Sequence, residues 1–597
     1  MKVNPFLFIA LFCLVLYINS LSGEFVWDDQ SFVVDNPAIK HLTNLPSFFT
    51  DYKTGATKEL SSDVYRPLTT FSYALDFFFW GLNSFGYHLT NIILHSANSM
   101  LVFVLLMLLC GDFFAAFFGS LIFVSHPVQT EAVCWISGRS SVLFLLFYLL
   151  AFIFYIRALR EDKKYFFAVS LIFFVLSLFS KEMAVTLPLV LMLYDLHFPL
   201  REKVKARISR YAAYFLLVFF YIILRITIVG KVGQFEGWGG PYTIFLTMSN
   251  VIVDYVRILF FPFKLCAVGY YIPIVSSLKE GNTIISLLLF FVVAGSLPFL
   301  FKKAKIFSFS IFFFFLTLLP VLNIIPIKAL EADRFLYLPS IGFCLLIASV
   351  ASKYNARLNN NAAAKKSVLV IVLAALLLFL YSLRTSFRVE DWKDEVVLSK
   401  KTVDVSPSSA WALTTLAANL FERGKYVKAI EPLEKAIRLS PEYEIAHNAL
   451  AQCYLRTDNY EGAVSQFKIV LDIDPKSAWS RNLLGVAYMN LKKYDEAEKE
   501  FEIALKDEPD NIGICLNFGR VYEIKGDYKK ALRKYLEMLE KSKNTQDTII
   551  SYLRIGDLYI KMNLRDKART AYLKMQKISP EASAELKKII EDRLKEL

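Results

Sequence analysis

Cysteine is scarce in this chain and follows no pattern. The seven cysteines in 597 residues (Cys13, Cys110, Cys134, Cys266, Cys344, Cys453 and Cys515) show neither CxxC pairs nor metal-ligand spacing. That excludes a disulfide framework and a cysteine zinc site. Charge is thin as well: Asp, Glu, Lys and Arg make up 20% of the residues, against 55% hydrophobic ones. A soluble chain of this length needs more polar surface, so a purely soluble enzyme is excluded. The formal net charge of +13 does not point to nucleic acid, because much of the Lys and Arg lies in short loops between apolar runs.

What is abundant is aromatic and apolar, with 54 Phe and 31 Tyr. Up to about residue 386 the apolar runs are about 17–23 residues long, enough to cross ~30 Å of hydrocarbon. Eleven membrane helices are expected near 5–22, 87–109, 112–130, 137–157, 165–180, 182–198, 210–230, 282–301, 306–325, 335–352 and 367–385. The first, behind Lys2, reads as a retained signal anchor because many spans follow it. The stretch 241–266 reads equally as a re-entrant segment, an interfacial helix or a pair of spans. Basic loops carry Arg157, Arg160, Lys163 and Lys164; Arg201, Lys203, Lys205, Arg207 and Arg210; Lys302, Lys303 and Lys305; and Lys353, Arg357, Lys365 and Lys366. With eleven spans all of them fall on one side. The positive-inside rule makes that side cytoplasmic, together with the N-terminus, and puts the C-terminal half outside the cytoplasm.

After residue 386 the chain turns polar and repeats itself. Pro407, Pro441, Pro475 and Pro509 are 34 residues apart each time, the tetratricopeptide period. A small residue recurs in each first helix (Ala417, Ala451, Gly485, Gly519). Alanine recurs in each second helix (Ala429, Ala463, Ala497, Ala531), with Leu433, Phe467, Phe501 and Tyr535 four residues on. A fifth unit has Gly556, Tyr559, Ala568, Tyr572 and Pro580. Small residues permit close helix approach and aromatics fill the space between pairs. The expected class is therefore all-α. A transmembrane domain spans 1–386 with a first external loop at 23–86, followed by a linker at 387–406, a repeat superhelix at 407–581 that holds extended protein on its concave face, and a capping helix at 582–597.

On the expected outer side the polar motifs collect. Asp28 and Asp29 follow the first span directly; the pair suits a general base on an acceptor hydroxyl, a divalent-cation site, or a helix cap. No ligand spacing requires a metal or other cofactor, though the Asp pair leaves room for a divalent cation. Arg66, Arg139, Lys181 and Arg334 suit a phosphate, or pairing with Glu131, Glu182, Glu331 and Asp333. His126 before Pro127 reads as a catalytic group or as a structural histidine at a helix end. His88 and His95, on one helix face, read as packing residues.

Val26-Trp27-Asp28-Asp29 with Asn36-Pro37, Tyr65-Arg66-Pro67-Leu68, His88-Leu89-Thr90-Asn91, His126-Pro127 with Thr130-Glu131, Gly138-Arg139, Ser180-Lys181-Glu182, Leu193-Tyr194-Asp195, Glu331-Ala332-Asp333-Arg334 and Asp391-Trp392 stand in this order along the chain. Together they resemble the transmembrane-and-tetratricopeptide-repeat O-mannosyltransferases. The resemblance implies a GT-C glycosyltransferase fold and a lipid-phosphate-linked sugar donor, dolichyl-phosphate mannose in animal members. It implies an acidic catalytic residue in the first external loop, mapping to Asp28 and Asp29, and a donor-phosphate contact at Arg334; Arg66, Arg139 and Lys181 are expected from their charge to join it. His126, Glu131, Glu182 and Glu331 support that site. The acceptor would be Ser or Thr of an extracytoplasmic protein, reached by one inverting displacement. A composition heavy in Phe, Ile and Lys suggests a prokaryotic member with a polyprenyl-phosphate donor, working at the plasma or inner membrane rather than the endoplasmic reticulum. The rival readings are a membrane-anchored repeat scaffold and a polytopic ligase or polymerase of lipid-linked glycans.

Overall fold

The computed structural model describes residues 4–57, 64–199, 204–230, 239–265, 274–327, 329–358, 364–578 and 584–595, with side chains left out at 354–370 and at a few positions near the C-terminus. Lys2, Arg201, Lys203, Cys266, Pro580 and the side chains of Arg357, Lys365 and Lys366 lie outside this description. Two compact units emerge, Met1–Ser406 and Pro407–Leu597. Among the described residues every regular element is helical.

The first unit is built from α1 (Pro5–Tyr17), α2 (Leu45–Thr50), α3 (Pro67–Trp80), α4 (Ser84–Cys110), α5 (Phe113–Ser125), α6 (Thr130–Cys134), α7 (Arg139–Glu161), α8 (Lys164–Ser180), α9 (Leu187–His197), α10 (Val204–Val229), α11 (Pro241–Phe260), α12 (Thr283–Lys303), α13 (Lys305–Leu318), α14 (Ser340–Leu358), α15 (Ala364–Glu390) and α16 (Glu395–Val405). Seven described helices are long and apolar enough to cross a membrane, or eight if the bent pair Phe113–Ser125 and Pro127–Cys134 is one span. Three shorter apolar helices, Lys164–Ser180, Lys305–Val321 and Ser340–Lys353, accompany them.

Two expectations about the spans change. The stretch 182–198 is not one helix but a 3-10 turn, Glu182–Thr186, followed by the 11-residue α9. It still runs the length of α7: Lys181 Nζ donates to Ser141 Oγ at 2.8 Å near the start of α7, and near its end Tyr155 Oη donates to Asp195 at 2.6 Å. The second change concerns α11, which has the length and composition of a span but lies across one end of the bundle. Asn250 donates to Thr283 at the start of α12, Tyr255 Oη accepts the Ala332 N–H, and the Leu259 carbonyl accepts from Tyr381 and pairs with His126 just past α5. All these partners sit at the same end of the bundle.

The opposite end gathers the described basic loops. Arg160 donates to the Leu108 carbonyl at 2.7 Å, His197 Nε2 pairs with Ser308 Oγ at 3.2 Å, and Tyr211 donates to Asp195 at 2.6 Å. Inside the bundle, polar side chains bond across helices where no water is present to serve them. Asn98 donates to the Val142 carbonyl at 2.8 Å, and Ser177 donates to that of Phe144 at 2.9 Å. The stretch expected to be a linker is ordered and belongs to the first unit: α15 runs to Glu390, and Asp394 caps α16 by accepting the Val397 N–H at 2.9 Å.

The second unit is five helix pairs: α17 (Ala410–Glu422) with α18 (Tyr426–Leu439), α19 (Glu444–Arg456) with α20 (Tyr460–Ile473), α21 (Ala478–Asn490) with α22 (Tyr494–Asp507), α23 (Ile512–Ile524) with α24 (Tyr528–Lys541), and α25 (Thr545–Lys561) with α26 (Arg565–Ile578). A last helix, α27 (Ala584–Lys595), follows them. The recurrent small residue does what its position demands. A Cβ at Gly485, Gly519 or Gly556 would meet the rings of Phe501, Tyr535 and Tyr572 at 2.7, 2.3 and 2.5 Å. Gly519→Leu therefore forces the Tyr535 ring out of its place. We expect a loss of ~2 kcal/mol and a fall in Tm of about 5 °C for the repeat unit, read by thermal unfolding of the full chain; Gly513→Ala, which meets only the Asn511 side chain at 3.3 Å, should leave Tm nearly unchanged.

Candidate active site

The site is assembled at the end of the first unit opposite the basic loops. Leaving α1, the chain reaches Gly23, which lies against His88: an added Cβ would stand 3.0 Å from Nε2. Trp27 then adopts a left-handed backbone with φ +53°, unusual for a bulky residue. Its neighbours Asp28 and Asp29 take different environments. Asp29 is fully buried and accepts from the Ser137 N–H at 2.7 Å, from Ser137 Oγ, and from the Val26 N–H at 3.0 Å. Burial lifts its carboxyl to about 7, against the pull of the Ser137 and Val26 donors. Asp28 keeps part of its side chain at the surface.

Ser137 faces Asp29 because the chain doubles back between α6 and α7. Gly138 makes this possible: a Cβ there would meet the Ala132 carbonyl oxygen at 2.7 Å. The same short segment carries Glu131, whose buried carboxylate accepts from the Arg334 N–H at 2.6 Å and from its guanidinium. Arg334 also lies over the Trp135 ring, 5.2 Å from its centroid.

A second ion pair completes the cationic side. Arg66 binds Glu182 with both arms, Nη2 to Oε1 at 2.6 Å and Nε to Oε2 at 3.1 Å. Arg225, from α10, stands 3.8 Å from the same carboxylate. Burial alone would raise the Glu182 carboxyl, but Arg66 and Arg225 outweigh it and hold it well below the usual carboxylate range. Lys181 is buried beside them, and burial together with the Arg66 charge pushes its ammonium down to about 7. The charges of Arg334 and Glu131 also reach Lys181, and Arg66 and Arg225 share the Glu182 carboxylate. Tyr73 links the cationic side to the acids, with both Asp29 and Arg66 among its charged neighbours.

Other expected residues fall elsewhere. Arg139 is fully buried and donates to Asn91, to Asp76 at 2.6 Å, to the Tyr87 carbonyl at 2.8 Å and to Ser72 at 3.3 Å. All three of its guanidinium nitrogens are engaged inside the fold, and it lies over the Tyr73 ring, 5.3 Å from the centroid. His126 is likewise structural, since Nδ1 accepts the Val128 N–H at 3.2 Å and Nε2 pairs with the Leu259 carbonyl at 2.9 Å. Glu331 is 1% exposed, and burial, then Asp254 and Asp333, push its carboxyl well up, against the pull of Arg257. Arg225 was missed by sequence reasoning, although a lone cation late in a long apolar run is a signal in itself. Ser137 carried no such signal.

These features define a polytopic membrane protein with a charged site at one end of its helical unit, joined in sequence to a tetratricopeptide solenoid. Family models described as tetratricopeptide repeats match residues 419–458, 458–513, 514–548 and 549–581. Over about 70% of its length the chain resembles the transmembrane-and-tetratricopeptide-repeat O-mannosyl-transferases. It is 28% identical to "Protein O-mannosyl-transferase F38B6.6" of Caenorhabditis elegans over 68% of this chain and 59% of that protein. It is 26% identical to the Tmtc3 protein of Drosophila melanogaster over 72% of this chain and 55% of that one. For human TMTC4 the figures are 25%, 70% and 64%. The chain thus spans little more than half the length of these relatives. Among solved structures, a tetratricopeptide protein of Thermus thermophilus aligns at 20% identity and a TM-score of 0.27, covering 31% of this chain and 99% of that one.

A phosphodiester carries one negative charge across neutral pH, so as a probe anion it contributes no titration of its own. Burial brings both the Lys181 ammonium and the Asp29 carboxyl to about 7, so raising the pH removes a positive charge and adds a negative one. Affinity for such an anion should fall about tenfold (~1.4 kcal/mol) between pH 6 and 8. Lys181→Gln should lower the affinity at pH 6 and flatten the profile, as measured by equilibrium binding in detergent.

Proposed function

We propose that this protein is a membrane O-mannosyltransferase that moves mannose from a polyprenyl- or dolichyl-phosphate donor to a Ser or Thr hydroxyl of an acceptor protein. The observation that supports the reading is that the acidic turn and a cation share one aromatic wall: the Trp27 ring, just ahead of Asp28, stands 6.1 Å from that of Trp135, and Arg334, paired with Glu131, lies over the same Trp135 ring. The names of the similar proteins support the sugar and the acceptor class. Since the described basic loops lie at the far end, the positive-inside rule supports an extracytoplasmic site.

The two acids divide the work. Asp29, held on both oxygens, fixes the turn; Asp28, part-exposed, is the base. Asp28 takes the proton from the acceptor hydroxyl as its oxygen forms a bond to the anomeric carbon. The bond from that carbon to the phosphate oxygen breaks, its electron pair leaves with the polyprenyl phosphate, and the configuration inverts. Arg334, Arg66, Lys181 and Arg225 receive the charge that grows on the phosphate. Fixed cations aimed at developing charge are often the largest single contribution to such a rate. Glu131 and Glu182 hold Arg334 and Arg66 in place before the donor arrives. The tetratricopeptide unit presents the acceptor as an extended segment.

Sugar transfer to protein from radiolabelled polyprenyl-phosphate mannose, in membranes matched for folded protein, tests this reading. Asp28→Asn should lower the rate by about 10²–10⁴-fold and leave donor affinity within about threefold. Arg334→Gln should raise the donor KM and lower kcat as well. Full activity in Asp28→Asn would remove Asp28 as the base. No transfer by the wild-type chain with any lipid-phosphate sugar, in lysates holding the native acceptors, would favour the scaffold reading.

A further inference from the structure

The segment that leads into the repeat unit is sewn onto the first loop at three points. Asn19 Nδ2 donates to Glu390 Oε1 at 2.7 Å, the Glu24 N–H donates to the Lys393 carbonyl at 2.9 Å, and the Trp27 N–H donates to Glu395 Oε1 at 2.8 Å. Between the first two ties Trp392 is buried, its ring 5.6 Å from that of Trp27 and 6.3 Å from that of Trp135. The tie at Trp27 falls on a non-glycine residue with a left-handed backbone, φ +53°. Such a residue stays in that region only when its surroundings over-determine it. Here the surroundings are two indole rings and one carboxylate from the first turn of α16.

Trp27 precedes Asp28, and the peptide between them sets where the Asp28 carboxylate stands. If Trp27 relaxes to a negative φ, that peptide turns and the base moves by an ångström or more. Displacements of this size are costly to a reaction that depends on alignment.

We propose that Glu395 is a positioning residue: by accepting the Trp27 N–H it locks the left-handed turn that places Asp28 for proton abstraction. The inference rests on the reading of Asp28 as the base. It makes the start of α16, immediately before the repeats, part of the catalytic geometry. The requirement is for an acceptor atom, not for a charge, so an amide serves where a methyl group does not.

The test uses the full chain in membranes, with polyprenyl-phosphate mannose as donor. Glu395→Ala should lower kcat about 30-fold with donor KM within about twofold, while Glu395→Gln should stay within about threefold of wild type. Hydrogen exchange over residues 20–34 is read on the same proteins without donor: faster exchange in the alanine variant, and wild-type protection in the glutamine variant. Wild-type kcat in Glu395→Ala, equal losses in both variants, or a change confined to KM would each overturn the proposal. Asp28→Asn, run alongside, separates the two readings. If it retains full transfer, or if wild type transfers nothing, the base assignment fails, and exchange over 20–34 alone decides whether Glu395 holds the turn.

Discussion

The buried ion pair between Arg139 and Asp76 is the contact on which the rest of the site depends. Both side chains are withdrawn from water, with side-chain exposures of 0% and 8%. Such a pair does little for net stability, but losing one partner strands the other at a cost of ~3–5 kcal/mol. Its effect is geometric. Arg139 opens α7, Asp76 lies on α3, and the remaining donors of the guanidinium hold Asn91 and the Tyr87 carbonyl of α4. Three helices from different stretches of sequence are thereby pinned at one end of the bundle.

Both halves of the site hang from that pin. One residue ahead of α3 stands Arg66, which is thus delivered to Glu182 at the far end of α8. Two residues ahead of Arg139 stands Ser137, which is thus delivered to Asp29. The turn that carries Ser137 also carries Glu131 and so fixes Arg334. The acids and the cations are set by one short segment, from Thr130 to Arg139, whose tight path depends on the absence of a side chain at Gly138.

Each arginine of the Arg66 and Arg334 pair sits against a carboxylate, and this shapes how the site would receive an anion. Arg66 and Arg334 are held in place by Glu182 and Glu131, so little conformational entropy remains to be lost when a phosphate arrives. The carboxylates also keep four neighbouring cations from repelling one another in a place of low dielectric. Lys181, which donates to the Ser141 hydroxyl at 2.8 Å, is driven down toward neutrality first by burial and then by the Arg66 charge.

Much was legible in the sequence because it depends on local periodicity. Apolar run length marked the long helices, and the 34-residue repeat marked the helix pairs down to the glycines that abut Phe501, Tyr535 and Tyr572. The motifs of the site were legible as residues, though not as roles. Arg139 and Arg66 look alike in sequence, each a lone arginine beside Pro or Gly in an outer motif; only packing shows that one is consumed by Asp76 and Asn91 while the other lines the site. Asp28 and Asp29 are adjacent and chemically identical, and the partner that separates them, Ser137, lies far along the chain. The path of α11 was undecidable from composition, because a helix lying across the end of the bundle and one passing through it need the same apolar content. Composition and spacing determined the helices, the repeats and the set of candidate groups. Which carboxylate is walled in, which cations line the site, and how the turn at Trp27 is held were decided by tertiary structure, because burial and hydrogen bonding belong to contacts between residues far apart in the chain.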